Sequence, residues 1–276
     1  MEELRYSQGK ENLTHKKLEK VDLSDEYIAD MALKIVESAN KRDLLVRLLG
    51  AAAFLYHCPK HGDMYKTLNR RLTDVDVVTY SKFKSTEVEK AMGDVGLKKQ
   101  RHYVWHAESR EIYSNEEGLF VDVFRDTLDF SHVVNFKGRL ELDNPTITVE
   151  DLLLEKLQIH DITEKDFKDV VVLLLEHDFG GADSTEEIDA AYIAGVLSDD
   201  WGFYYDAVNN LQKISDFADG LDLLNREQKQ ESKKRIARMQ SIIEEAPKSG
   251  KWNRRAKKGT KKPWYKEVGE IQQGVQ

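Results

Sequence analysis

The spacing of apolar residues along the chain changes character near residue 145, from short runs of mixed type to long helical stripes. "DEYIADMALKIVESANK" (25–41) puts Ile28, Met31, Ile35 and Val36 on one stripe, the three-and-four spacing of an amphipathic helix, with Ser24 in front as N-cap. "DLLVRLL" (43–49) is a short apolar run ending at Gly50 that predicts a buried strand. The small apolar "AAAFLYH" behind it predicts a helix, so Gly50 marks a strand-to-helix turn. "DVDVVTY" (74–80) reads as the next strand and "STEVEKAMGDVG" (85–96) as a helix capped by Ser85 or Thr86. "LKKQRHYVWH" (97–106), "REIYS" (110–114) and "GLFVDVFRD" (118–126) are three β-type runs with turn residues between them. Residues 132–147 read as extended chain and loop.

Beyond Pro145, "VEDLLLEKLQIH" opens on Thr148 and Asp151 in capping-box spacing. "EKDFKDVVVLLLEHD" opens on Thr163 and Asp166 in the same way, and "TEEIDAAYIAGVL" on Ser184 and Glu187. A long polar helix is expected over roughly 219–245. The expected fold is α/β (α+β): a mixed sheet with flanking helices over 23–145, then a helical domain over 146–246. A flexible N-terminus (1–22) and a basic tail (247–276) flank them.

Composition narrows the class. Of 276 residues, 40% are apolar and 33% charged, which suits a globular chain with ample core. No apolar run approaches the roughly 18 residues a membrane span needs, and "MEELRYSQGKENLTHKKLEK" is too polar for a secretory signal. Cys58 is the single cysteine, which excludes an intrachain disulfide and fits a reducing cytoplasm. The net charge of −8 conceals an asymmetry. Residues 247–266 hold nine Lys/Arg and no acid, leaving 33 basic against 50 acidic residues, −17, elsewhere. A basic segment with Trp252, Trp264 and Tyr265 beside it suits a nucleic-acid partner, since cations meet phosphates and rings stack on bases. The bland alternatives are a tail with no partner, or one that folds onto the acidic body.

The candidate chemistry lies in "NRRLTDVDVVTY". Residues i and i+2 of a strand share a face, so Asp74 and Asp76 stand side by side while Val75 and Val77 point away. Like charges that close repel unless a cation neutralises them. Asp122 in "LFVDVF" is a third strand carboxylate flanked by apolar residues. Three such groups can bind two magnesium ions of the kind that stabilise entering and leaving oxygens in phosphoryl or nucleotidyl transfer. Gly50 is where a phosphate can approach backbone N–H groups. The bland reading is a solvated strand edge. In "HCPKH", Pro59 breaks the helix between His57, Cys58 and His61, and no second ligand pair follows, which argues against zinc. His102 and His106 would lie some 13 Å apart along a strand, too far for joint ligation. No Walker loop, dinucleotide fingerprint or Ser/His/Asp arrangement is present.

Taken in order, these residues resemble the nucleotidyltransferase superfamily of the DNA polymerase β type, and look closest to the abortive-infection type nucleotidyltransferases, many of them toxins. Gly50 matches the glycine turn. Arg71, Asp74 and Asp76 match Arg-x-x-Asp-x-Asp, Asp122 matches the third carboxylate, and Lys156 matches a lysine in the first helix after the sheet. Lys165, Asp166 and Asp169 match a basic-Asp-x-x-Asp helix. The likeness covers roughly 40–178. It implies Asp74, Asp76 and Asp122 as catalytic metal ligands for magnesium. It also implies Gly50, Ala51, Arg71, Lys156 and Asp166 around an NTP, release of pyrophosphate, and a protein antitoxin as partner; the acceptor it implies, with the basic tail, is RNA such as tRNA, with a protein hydroxyl or a small molecule such as an aminoglycoside as alternatives. One departure stands out. The family has Ser, Thr or Gly after its first glycine, and here Ala51 offers no hydroxyl to a phosphate. That departure keeps a second expectation in play, a catalytically degenerate fold acting as an RNA-binding or regulatory module.

Overall fold

In the computed structural model, which describes residues 22–100, 110–181 and 187–267, five strands form one mixed sheet. β1 (Val46–Leu49) runs antiparallel to β2 (Val75–Thr79), and β2 runs parallel to β5 (Phe120–Arg125). β5 is antiparallel to β4 (Arg110–Ser114), which is antiparallel to β3 (Lys98–Lys99), giving the order β1-β2-β5-β4-β3. β1 is not a bare edge. The amide of Leu48 donates to the Pro145 carbonyl and that of Ile147 to the Leu48 carbonyl, so residues 145–147 cover it. α1 (Asp25–Asn40) precedes β1, α2 (Gly50–His57) and α3 (Gly62–Thr67) lie between β1 and β2, and α4 (Ser85–Asp94) follows β2.

Alternation along the strands assigns the two faces. Val75, Val77, Val121 and Val123 are fully buried on one face. The other carries Asp76 and, beside it in register, Asp122. α1 is capped by Ser24, whose Oγ accepts from the Tyr27 amide, and it buries Ile28, Met31, Ile35 and Val36 on the stripe expected from its spacing. Each such side chain contributes about 1.5–3 kcal/mol of burial. A small hairpin, β6 (Thr127–Asp129) with β7 (Val133–Asn135), interrupts the stretch expected to be loop.

The helical part follows the sheet. α5 (Val149–Leu157) and α6 (Glu164–Glu176) begin where the pattern predicts. At α6 the Asp166 carboxylate accepts from the Thr163 amide and hydroxyl. At α5 the box does not form: Asp151 is taken by Arg139 and by the Thr148 hydroxyl. A parallel two-strand pair, β8 (Phe179–Gly180) and β9 (Ile188–Asp189), precedes α7 (Ala190–Leu197). α7 is capped by Asp189, whose side chain accepts from the Tyr192 amide; Glu187 precedes the helix, and the expected cap Ser184 lies outside the described residues. α8 (Trp201–Gly220) has no counterpart in the sequence reading, and α9 (Arg226–Glu245) starts later than expected because Asn225 caps it after a turn.

One buried apolar cluster runs through both parts of the chain. The basic segment is docked on α8 and on the turn between β6 and β7. α10 (Gly250–Ala256) packs on α8, with the Arg255 guanidinium 4.8 Å from the centre of the Trp201 ring. The Trp264 indole N–H donates to Asp206 at 3.0 Å, Tyr265 stacks on His160 at 3.6 Å, and the Lys266 amide donates to the Ser131 carbonyl between β6 and β7. Asp206 also accepts from His132 at 2.8 Å and from His160 at 3.1 Å. No helix among the described residues is long and apolar enough to cross a membrane.

Candidate functional site

The site begins at the turn between β1 and α2. Gly50 has φ +66°, a left-handed backbone that L side chains rarely adopt. A Cβ on it would lie 2.4 Å from Asp76 Oδ2, so glycine is required both by the turn and by the approach of Asp76. Asp76 and Asp122 are direct neighbours on parallel strands, and Asp74 stands just before β2 with its carboxylate held by the Thr73 hydroxyl at 3.0 Å. Burial, then the charges of Asp74, Asp122 and Glu155, push the Asp76 carboxyl well above its ordinary range. Burial raises Asp122 as well, against the opposing pull of Arg110.

Asp76 and Asp122 therefore stand side by side on one sheet face, and the charge of Asp74, just before β2, acts on both. They do not close into a finished cage: among the described residues no group of three His, Cys, Asp or Glu side chains is gathered so that it could hold a metal ion. One reason is visible at Asp122. Arg110 on β4 lies two residues from Ile112, the register partner of Asp122, and its guanidinium binds the Asp122 carboxylate. Arg110 Nε is buried with no hydrogen-bond partner among the described residues, a cost of about 1–3 kcal/mol. Sequence reasoning missed Arg110. It belongs to a short β-type run, and only the register of β4 on β5 brings it to the aspartates.

The other residues implied at a nucleotide are otherwise engaged. Lys156 is buried and ion-paired with Glu155 at 3.4 Å, Asp166 at 3.2 Å and Asp169 at 3.3 Å. Burial works against its charge, yet Asp169, Glu155 and Asp166 together push its pKa upward. Arg70 grips Asp169 with two hydrogen bonds of 2.8 and 2.9 Å, completing a buried network on α5 and α6. Arg71 is exposed and points to the start of α1, where it pairs with Asp25 at 3.0 Å and Asp22 at 3.5 Å. Lys165 is exposed, and Ala51 packs partly buried against the core. The Gly50 N–H, which a phosphate would need, donates to Glu155 at 2.9 Å. Glu155 is the second residue the sequence reading missed; its only signal was its place beside Lys156.

The histidine and cysteine of "HCPKH" serve packing. Cys58 is buried and its thiol is pushed up by burial, while His61 pairs with Glu176 at 2.7 Å. His102 and His106 lie outside the described residues.

The chemistry of the donor set suits a hard divalent cation: oxygen ligands alone, from carboxylates whose mutual repulsion a cation relieves. No protein-family model matches the chain, and no curated protein matches it in sequence. Among solved structures, the antibiotic-resistance factor ANT(2'')-Ia, described in solution with substrate-regulated conformation dynamics, is similar over 63% of this chain and 95% of its own. Identity is 12% and the TM-score 0.39, a likeness too loose to carry any residue's role from that protein to this one.

Proposed function

We propose that the chain is a magnesium-dependent nucleotidyltransferase that moves a nucleoside monophosphate from an NTP to an acceptor hydroxyl. The observation that carries the reading is the pairing of Asp76 with Asp122 on adjacent parallel strands, with Asp74 beside them and Gly50 packed against Asp76. Asp74, Asp76 and Asp122 would hold magnesium, two ions when complete. Bound there, it would spread the charge of the triphosphate and make the acceptor hydroxyl a better nucleophile. Gly50 lets the backbone approach without a side chain in the way. The acceptor oxygen forms a bond to the α-phosphorus as the bond to the pyrophosphate oxygen breaks, and a carboxylate of the set takes the acceptor's proton. Lys156 holds Asp166 and Asp169 and so fixes α5 and α6 behind the turn, a positioning role in place of phosphate contact.

An RNA acceptor is supported by the exposed cations Lys251, Arg254, Lys257, Lys258, Lys261 and Lys262, displayed on a docked helix and turn. A cytoplasmic setting and an antitoxin partner go with the same reading. A second reading, a degenerate module that binds RNA or regulates a partner, is favoured by one cluster of observations: the Gly50 amide is held by Glu155, Ala51 has no hydroxyl and Lys156 is enclosed. Calorimetric titration with magnesium and each NTP separates the two, followed by incubation with labelled NTPs and total RNA. Transfer of label to RNA, lost in Asp76→Asn, supports the enzyme. RNA binding with no NTP binding supports the module.

A further inference from the structure

We propose that Arg110 is the triphosphate-binding cation of this site and, when no nucleotide is bound, the internal counter-ion of Asp122. The inference rests on the nucleotidyl-transfer reading and adds a residue to it. A triphosphate needs positive partners beyond magnesium, and Lys156 and Arg71, the cations implied around the nucleotide, are committed elsewhere, as is Arg70 beside Arg71. Lys156 faces three carboxylates, Arg70 is locked onto Asp169, and Arg71 lies against Asp25 and Asp22. The Gly50 amide is occupied by Glu155. Arg110 differs from all of these. It stands on the carboxylate face itself, its side chain keeps 28% of its surface open, and among the described residues it has one carboxylate partner. Its Nε–H has no hydrogen-bond partner among the described residues, so its present pose leaves part of its donor fork unused.

The guanidinium also lies over the Phe124 ring, 5.5 Å from its centre, a flat support from which it can turn without losing all contact. A guanidinium fork matches phosphate oxygens in two-point geometry as well as it matches a carboxylate. A cation arriving at Asp122 competes with Arg110 for the same oxygens. Once displaced, Arg110 is a free positive charge a side chain's reach from the ligand's phosphates. Asp122 thus passes from Arg110 to the metal, and Arg110 passes from Asp122 to the triphosphate. This exchange keeps Asp122 paired with a positive charge between turnovers.

The test is calorimetry on the full chain, wild type against Arg110→Ala and Arg110→Lys, first with magnesium alone and then with each ribonucleoside triphosphate at saturating magnesium. Losing Arg110 should move the two affinities in opposite directions. Magnesium alone should bind roughly tenfold tighter to Arg110→Ala, since a nearby positive charge and a competitor are gone. The magnesium–NTP complex should bind roughly 10- to 100-fold more weakly, the loss of a charge-assisted phosphate contact. Arg110→Lys, which keeps the charge but not the fork, should recover part of the NTP affinity and serves as the readout should the alanine variant lose its fold by circular dichroism. Tightening of both affinities would make Arg110 a latch only, and no change in either would make it a strand residue with no part in the site; both overturn the proposal. If wild-type protein binds magnesium but no NTP, the nucleotidyl-transfer reading fails first. The triphosphate role then falls with it, whatever the variants do with magnesium.

Discussion

Gly50→Ala is the most informative single change in this chain, because its cost divides into two parts that can be measured separately. The first part is the backbone. At φ +66° an alanine suffers the left-handed penalty, about 1–2 kcal/mol. The second part is the clash. The new Cβ would meet Asp76 Oδ2 at 2.4 Å, where ordinary contact begins at 3.4 Å. Asp76 must therefore move by about 1 Å, and overpacking of this kind costs about 1–3 kcal/mol. It has little room, since burial and the charges of Asp74, Asp122 and Glu155 surround it. The total expected loss is about 2–5 kcal/mol. Removing the clashing oxygen isolates the parts: in an Asp76→Ala background only the backbone penalty should remain, so the double-mutant cycle should show a coupling of about 1–3 kcal/mol. Urea unfolding of the four proteins in magnesium-free buffer measures it. Equal costs of Gly50→Ala in both backgrounds would show that Asp76 does not press on the glycine, and the close approach on which the site is built would be refuted.

Other expectations follow from the same charges. Asp76→Asn should raise stability in magnesium-free buffer at neutral pH, because the fold holds the Asp76 carboxyl well above its unfolded value and so disfavours its charge; a destabilised variant by thermal melting would contradict this. Lys156→Met should cost about 3–5 kcal/mol by leaving Glu155, Asp166 and Asp169 buried without their common cation, so a stability change below about 1 kcal/mol in urea would mean the network is not closed. Glu111 is brought down to about 2: burial opposes its charge, but Lys99, Arg125 and Ser85 outweigh it. A depressed acid stabilises the fold above its unfolded pKa of 4.5 and loses that contribution as pH falls toward 2, so Glu111→Gln should flatten the acid limb of a stability-against-pH profile over this window. Trp264→Ala removes the indole donor to Asp206 and the ring beside Tyr205 and should cost about 3–5 kcal/mol if the segment is packed as a core would be; a loss under 1 kcal/mol by thermal melting would show it only rests on the surface.

The strands that position the site are legible because their residues are buried on one side and charged on the other. "DVDVVTY" and "LFVDVF" say both that a strand exists and which residues share a face. Parallel pairing of β2 with β5, which sets Asp76 beside Asp122, is not in the pattern. It depends on where the intervening α4 and β4 pack. β6 and β7 are three residues each, too short for alternation to register, and α8 hides because aromatic and polar residues interleave with its buried stripe of Phe203, Ala207, Leu211 and Ile214. Lys156 shows the other limit. Its spacing on α5 is visible, but whether it faces a ligand or three acids depends on α6 folding over it, a contact between elements. The basic segment is similar: its charge is plain, while its docking through Trp264 and Tyr265 depends on Asp206 and His160, far away in sequence.

That docking has a consequence in time. Lys266 closes on Asp129, 137 residues earlier, and its amide on Ser131. During synthesis at about 5–20 residues per second, the β6–β7 turn must wait on the order of ten seconds for its partner to exist. Until then Asp206 and His160 lack the indole and phenol rings that pack on them in the finished fold, and the hairpin next to the carboxylate-bearing strand lacks its tie to Lys266. A stalled or truncated chain would therefore carry all three aspartates, Gly50 and Arg110 on a sheet whose neighbouring hairpin is not yet tied down. The order in which residues are made delays the last tie beside the aspartates until about residue 266 has emerged.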